Sequence, residues 1–101
     1  MKSYLEQFFK DFEYEQKDAR HLLCTYDAIV ANKEAGALLR EILSAYSENI
    51  SLDYGKEVGS RAKRITDITS LHPYTVELLV FICMTKHLRS VYLERQIDLQ
   101  I

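Results

Sequence analysis

Seven consecutive residues, Leu78 to Met84, are all apolar, and they follow closely on Pro73, the single proline of the chain. A helix that is apolar on every face has no side left for water and has to be surrounded by other elements. Pro73 marks where that helix begins. A residue before proline is pushed out of the helical region, which ends the preceding segment at His72. Proline at the first helical position loses nothing, since its missing N–H would have had no intrahelical partner. Leu71 can staple the start. From Lys86 onward the pattern turns amphipathic, with Leu88, Val91 and Tyr92 inward and Lys86, Arg89, Glu94 and Arg95 outward. The expected fold is all-α: a five-helix, bundle-like domain packed around a central apolar helix over about residues 73–95.

The remaining sequence supplies four helices for that purpose. No segment alternates with period two, and no Asn-Gly or Asp-Gly hairpin turn occurs. Ser3 and Glu6 have the S-x-x-E spacing of a capping box, which places a first helix from Ser3. Leu5, Phe8, Phe9 and Phe12 form its apolar stripe, a docking face that would be sticky without a partner. A second helix spans about Lys17 to Ala31, with Leu22, Leu23, Tyr26, Ile29 and Val30 on its inner side. Asn32 can both end it and cap the next helix, giving a tight hairpin. Glu34 then falls in the first turn of helix three, where the helix dipole favours negative charge. Leu38, Leu39, Ile42, Leu43 and Tyr46 form the stripe of helix three. Ser47 to Leu52 reads as a linker, and Asp53 as the cap of a fourth helix carrying Tyr54, Val58, Ala62, Ile65 and Ile68. That helix is the weakest, because Gly55 and Gly59 each cost about 1 kcal/mol relative to alanine. Asp98 reads as the cap of a sixth helix that would begin with Leu99 and Ile101. The chain is therefore expected to be a single helical domain, 1–101, at the N-terminus of a longer protein.

Composition narrows the classes. With 101 residues, 48% hydrophobic and 28% charged, the chain has the profile of a soluble globular domain. The apolar run is far shorter than the ~20 residues of a membrane span. Acidic Glu6, Asp11 and Glu13 stand where a signal peptide would need an apolar stretch, so the expected location is cytoplasmic and no membrane partner is expected. A net charge of −2 gives no general attraction to nucleic acid. The cluster Arg61, Lys63, Arg64 reads first as a solvated helix face, and no nucleic-acid partner is expected. Cys24 and Cys83 sit among apolar neighbours without metal-ligand spacing and read as core thiols in a reducing compartment.

Groups that could carry chemistry have simpler structural readings. His21, His72 and His87 match no metal-binding or hydrolytic motif; His21 falls on the outer side of helix two, His72 at a helix start and His87 at a core edge. Glu77, in the first turn of the apolar helix, is either a dipole-stabilising exposed group or a buried carboxylate of raised pKa, and the first is favoured. Tyr26, Tyr46, Tyr54, Tyr74 and Tyr92 lie on or beside apolar stripes, as core-edge rings do. No catalytic, cofactor-binding or metal-ligating residue is assigned.

The block HPYTVELLVFICMTKHLRSVYLERQI, His72 to Ile97, resembles part of the N-terminal helical region of bacterial GNAT-like acyltransferase-domain proteins. Its most specific part is Ile82 to Arg89. Ala45 to Gly55 is similar to that family's linker, and Leu22 to Tyr46 shows weaker similarity. The family often has glycine where Gln96 stands, a natural helix stop. The resemblance implies a parent with a C-terminal catalytic domain that uses acyl-CoA. The pyrophosphate loop of such domains is missing from this chain, so the helical piece would be inactive by itself, hold no cofactor, and have its own catalytic domain as partner. The residues alone allow a different function, a stand-alone interaction or dimerisation module, with a homodimer through Phe8, Phe9 and Phe12.

Overall fold

The structure, a computed structural model, describes the backbone of residues 1–48 and 54–100 and the side chains of residues 1–46 and 56–86. Among these the chain is all-α. The helices are α1 (Lys2–Asp11), α2 (Gln16–Ala31), α3 (Lys33–Glu48), α4 (Gly59–Thr69, preceded by a π-helical turn, Tyr54–Val58) and α5 (Pro73–Gln100). α5 touches each of the other four, so the fold is organised around the expected helix.

The α5 start is as the proline dictates. Pro73 is the first helical residue, and the Val76 N–H donates to the His72 carbonyl at 3.1 Å. Leu71 is half-buried against the core. From there Val76, Leu79, Val80, Ile82, Cys83 and Met84 are buried and face Leu5, Phe9, Leu22, Ile29, Leu39, Ile42, Val58, Ala62 and Ile65. The burial is not complete around the helix. Leu78 is 42% exposed and Phe81 52%, so the other elements cover most of its circumference and leave one strip open. At the far end α5 runs on through Gln96 and Asp98. Asp98 is therefore inside a helix and caps no sixth one, and without glycine at position 96 nothing stops the helix there.

The α2–α3 junction is the one-residue hairpin that Asn32 suggests. Its Oδ1 accepts from the Ala35 N–H at 3.0 Å, and its backbone N–H donates to the Ile29 carbonyl at 3.2 Å. Gly36 is buried against the end of α2, where a Cβ would meet the Val30 carbonyl oxygen at 3.4 Å, an ordinary contact distance. The helix starts differ more from expectation. α1 begins at Lys2 with Met1 as its cap and no side-chain cap bond, so Ser3 and Glu6 form no capping box; Ser3 already lies inside the first turn. α3 continues through Ser47 and Glu48, which shortens the linker; Asn49 to Asp53, including the cap expected at Asp53, lie outside the described residues. The fourth helix opens with a π-helical turn, Tyr54–Val58, and regular α-helix runs from Gly59. α4 then ends on Ser70 in the left-handed region, φ 59°, its N–H donating to the Thr66 carbonyl at 2.8 Å.

Two substitutions test these devices. Asn32→Ala removes the hairpin cap and should lower stability by about 1 kcal/mol. Ser70→Gly relieves a left-handed non-glycine residue and should raise it by about 0.5–1 kcal/mol. Urea unfolding midpoints at constant m-value check both.

Candidate interaction face

Tyr74, Leu78 and Phe81 recur at four- and three-residue spacing along α5, and all three are exposed, Tyr74 to 78%. With about 100° per residue they fall within an arc of about 60° of the helix surface, and Val76, Leu79, Val80 and Cys83 fill the opposite side. The next position of this strip, Thr85, is covered by α1. The Thr85 hydroxyl donates to the Ile82 carbonyl at 2.5 Å, so it accepts from the Tyr4 hydroxyl 2.6 Å away. α1 thus closes one end of the strip and leaves Tyr74 to Phe81 open.

The open strip joins an aromatic cluster on α1 and the α1–α2 turn. Phe12, 61% exposed, lies with its ring 4.5 Å from that of Phe8, and Phe8 is 6.0 Å from Tyr14. Tyr14 in turn lines a groove between α2 and α5 of about 250 Å³, together with Leu22, Tyr74 and Leu78, and with Asp18 and His21 at its rim. Phe8 is half-buried and Phe9 is 4% exposed, packed on Tyr14 at 5.0 Å. Of the expected Phe8, Phe9, Phe12 dimer surface, Phe12 is thus the freely presented ring, while Phe9 belongs to the core. Val30, expected inward, is 45% exposed, while its neighbour Ile29 is fully buried; Thr25, one turn before Ile29, is also buried, its hydroxyl donating to the His21 carbonyl at 2.9 Å.

The titratable groups do not converge. His21 and His72 are exposed, on α2 and at the start of α5, and His72 stacks on Tyr74 with ring centroids 5.8 Å apart; the side chain of His87 is outside the described residues. No group of three or more His, Cys, Asp or Glu is arranged for a metal among the described residues. Glu77 is exposed; with α5 starting at Pro73 it is the fifth helical residue, past the first turn, which holds no acidic group. Tyr46 is buried and Tyr26 half-buried; burial raises both hydroxyl pKa values. Those of Tyr54 and Tyr92 lie outside the described side chains. The basic cluster is engaged on the protein itself. Arg61 bridges Glu57 at 3.1 Å and Glu41 at 3.5 Å, and Arg64 meets Glu34 at 3.0 Å, tying α4 to α3. The hydrogen bond to Glu57 is the main cause holding the Arg61 pKa above its usual value.

The two cysteines separate. Cys24 is exposed, contrary to the core position expected of it, because it lies one turn along α2 from His21 on the outer side of that helix. Cys83 is buried among apolar neighbours, and that burial pushes its thiol from 9.0 up to about 12. A folded-state pKa above the unfolded one means that the stabilisation is complete below pH 9.0 and is lost as pH rises toward about 12. A thiol reagent at about pH 8 should therefore modify Cys24 in the folded protein and reach Cys83 only after denaturation. Cys83→Ala should flatten the alkaline fall of stability, read as unfolding midpoints across that range.

No helix of the described residues is long and apolar enough to cross a membrane. In comparisons with known proteins, no family model, no curated protein and no solved structure matches the chain.

Proposed function

We propose that this chain is a helical protein-interaction module whose working surface is the apolar face of Tyr74, Leu78, Phe81 and Phe12. The observation that carries this is the open strip on α5. Burying these side chains against α1–α4 would have been favourable by about 1.5–3 kcal/mol for each of the large ones, yet they face solvent beside a groove lined by further apolar groups. Contiguous exposed apolar surface on a folded domain marks a site of association. The acyltransferase resemblance is one form of the same function, with an attached catalytic domain as occupant and acyl-CoA bound there. It rests on the sequence blocks His72–Ile97 and Ala45–Gly55. A reducing, cytoplasmic setting is the compartment that suits a free exposed Cys24 beside a free buried Cys83.

A docking surface and a folding core respond oppositely to substitution. At about 1 µM protein, where association is weakest, Leu78→Gln and Phe81→Gln should change stability by no more than about 0.5 kcal/mol. Leu79→Ala, one residue away and fully buried, should cost about 2–5 kcal/mol. The double Gln variant should also lose most binding of a solvatochromic hydrophobic dye. A cost comparable to that of Leu79→Ala for either face residue would show that the strip is packed internally and would remove this function.

A further inference from the structure

The apolar strip of α5 has an acidic border on both edges. At about 100° per helical residue, Thr75 falls on the Leu78 edge of the strip and Glu77 on the Phe81 edge. The Leu78 edge opens into the groove with α2, whose rim carries Asp18. Tyr14, which lines the same groove, has exposed Glu13 and Glu15 as its chain neighbours. None of Glu13, Glu15, Asp18 and Glu77 has an ion-pair partner among the described residues. On the α3–α4 side the carboxylates of Glu34, Glu41 and Glu57 are instead each met by an arginine.

The imbalance is local. Residues 10–18 and 74–81 hold five acidic groups (Asp11, Glu13, Glu15, Asp18, Glu77) and two basic ones, Lys10 and Lys17, a net −3. The whole chain is −2, so all other residues together carry +1. The nearby cations stand aside from the strip. Lys17 lies with Arg20 and Cys24 on the outer side of α2, and Lys10 lines the cleft between α1 and α2. Lys86 follows Thr85, where α1 closes the strip.

This arrangement selects among occupants. An anionic surface, a layer of acidic phospholipid headgroups included, meets unpaired carboxylates on both edges and is repelled. A segment with apolar side chains in a line and Lys or Arg on both flanks matches the strip and its edges together. The strip runs over about 10 Å, two turns of a helix, and its four-three spacing is the one along which helices meet.

Building on the docking function above, we propose that the occupant of this face is a cationic amphipathic helix of another protein. Its apolar line lies along Tyr74, Leu78 and Phe81. Its basic side chains face Glu77 on one edge and Asp18, Glu13 and Glu15 on the other. A contact of two turns is small, which makes the association transient, and attraction between exposed opposite charges makes it salt-dependent.

The probe is a helical peptide of about 15 residues, long enough to hold a helix, with leucine on one side and lysine on the other. Its twin carries glutamate in place of every lysine. By fluorescence anisotropy the lysine peptide should bind the full chain with a Kd below about 500 µM at low salt, and the twin should not bind. Leu78→Gln and Phe81→Gln should each weaken binding about tenfold or more. Glu77→Gln and Asp18→Asn should each weaken it about two- to fivefold, all with unchanged helical circular dichroism. Asp67→Asn, which removes an equal charge from an exposed position on α4, should leave it unchanged. Equal binding of both peptides overturns the proposal, as does an Asp67→Asn effect as large as those of Glu77→Gln and Asp18→Asn. Lysine-peptide binding that neither Leu78→Gln nor Phe81→Gln weakens overturns it too, and so does tighter binding of the chain to phosphatidylglycerol vesicles than to phosphatidylcholine ones. If neither peptide binds but the dye binds wild type and is lost with the double Gln variant, the cationic helix is excluded while the docking function stands with a different occupant. Absence of both peptide and dye binding overturns both.

Discussion

The fold depends on the packing of one short stretch, Val76 to Met84, against four helices at once. Leu79, Val80, Ile82 and Cys83 are all but inaccessible, and each partner helix contributes its own fully buried residues: Leu5 from α1, Ile29 from α2, Ile42 from α3 and Ile65 from α4. Short junctions help by limiting where the outer helices can go. The Asn32 hairpin sets α3 directly after α2, and Pro73 starts α5 three residues after Ser70 has closed α4. Local backbone chemistry thus fixes the order in which apolar stripes meet the central helix.

Four neighbours do not close a helix that is apolar on every side. The strip at Tyr74, Leu78 and Phe81 is what remains after α2, α3 and α4 have taken the opposite arc and α1 has taken the distal end through Tyr4 and Thr85. That hydrogen bond has a defined direction, since Thr85 spends its own proton on the Ile82 carbonyl. α1 is therefore held at the level of Thr85, and its ten residues end at Asp11, with Phe12 as the C-cap. On the α3–α4 side, Arg61 and Arg64 on α4 engage Glu41 and Glu34 on α3. Such exposed pairs contribute little to stability, about 0–1 kcal/mol each, but they occupy the two guanidinium groups that would otherwise form a basic patch.

Period and punctuation made much of this legible in the sequence. Pro73 and Asn32 act through their own backbones, so their roles follow from neighbours one to four positions away. The apolar stripes of α2 and α3 follow for the same reason, because helical periodicity decides which residues share a side. What was not legible depended on how many neighbours each side would find. The run Leu78–Met84 states that α5 is apolar all round, but says nothing of whether four helices suffice to enclose it. Phe9 and Phe12 are both phenylalanines on one expected stripe, yet one is core and the other is exposed: Phe9 lies within α1 under Tyr14, and Phe12 is the C-cap past its last helical residue. Cys24 and Cys83 have equally apolar sequence neighbours and opposite fates, since Cys24 falls on the side of α2 turned away from α5. The Ser3 capping box failed because Met1 supplied a helix start upstream of it.

The same accounting explains why the open strip is best understood as a surface with a use. A helix needs only one apolar side to hold a bundle together, and polar residues at 74, 78 and 81 would have left the contacts of Val76, Leu79, Val80 and Cys83 untouched. Glu77, exposed between Tyr74 and Leu78, shows that this part of α5 tolerates a charge next to the strip. Packing inside the chain therefore places no demand on Tyr74, Leu78 or Phe81, while their exposure carries the hazard of unspecific association. A contact outside the chain is the physical condition under which large apolar groups at these positions are favourable.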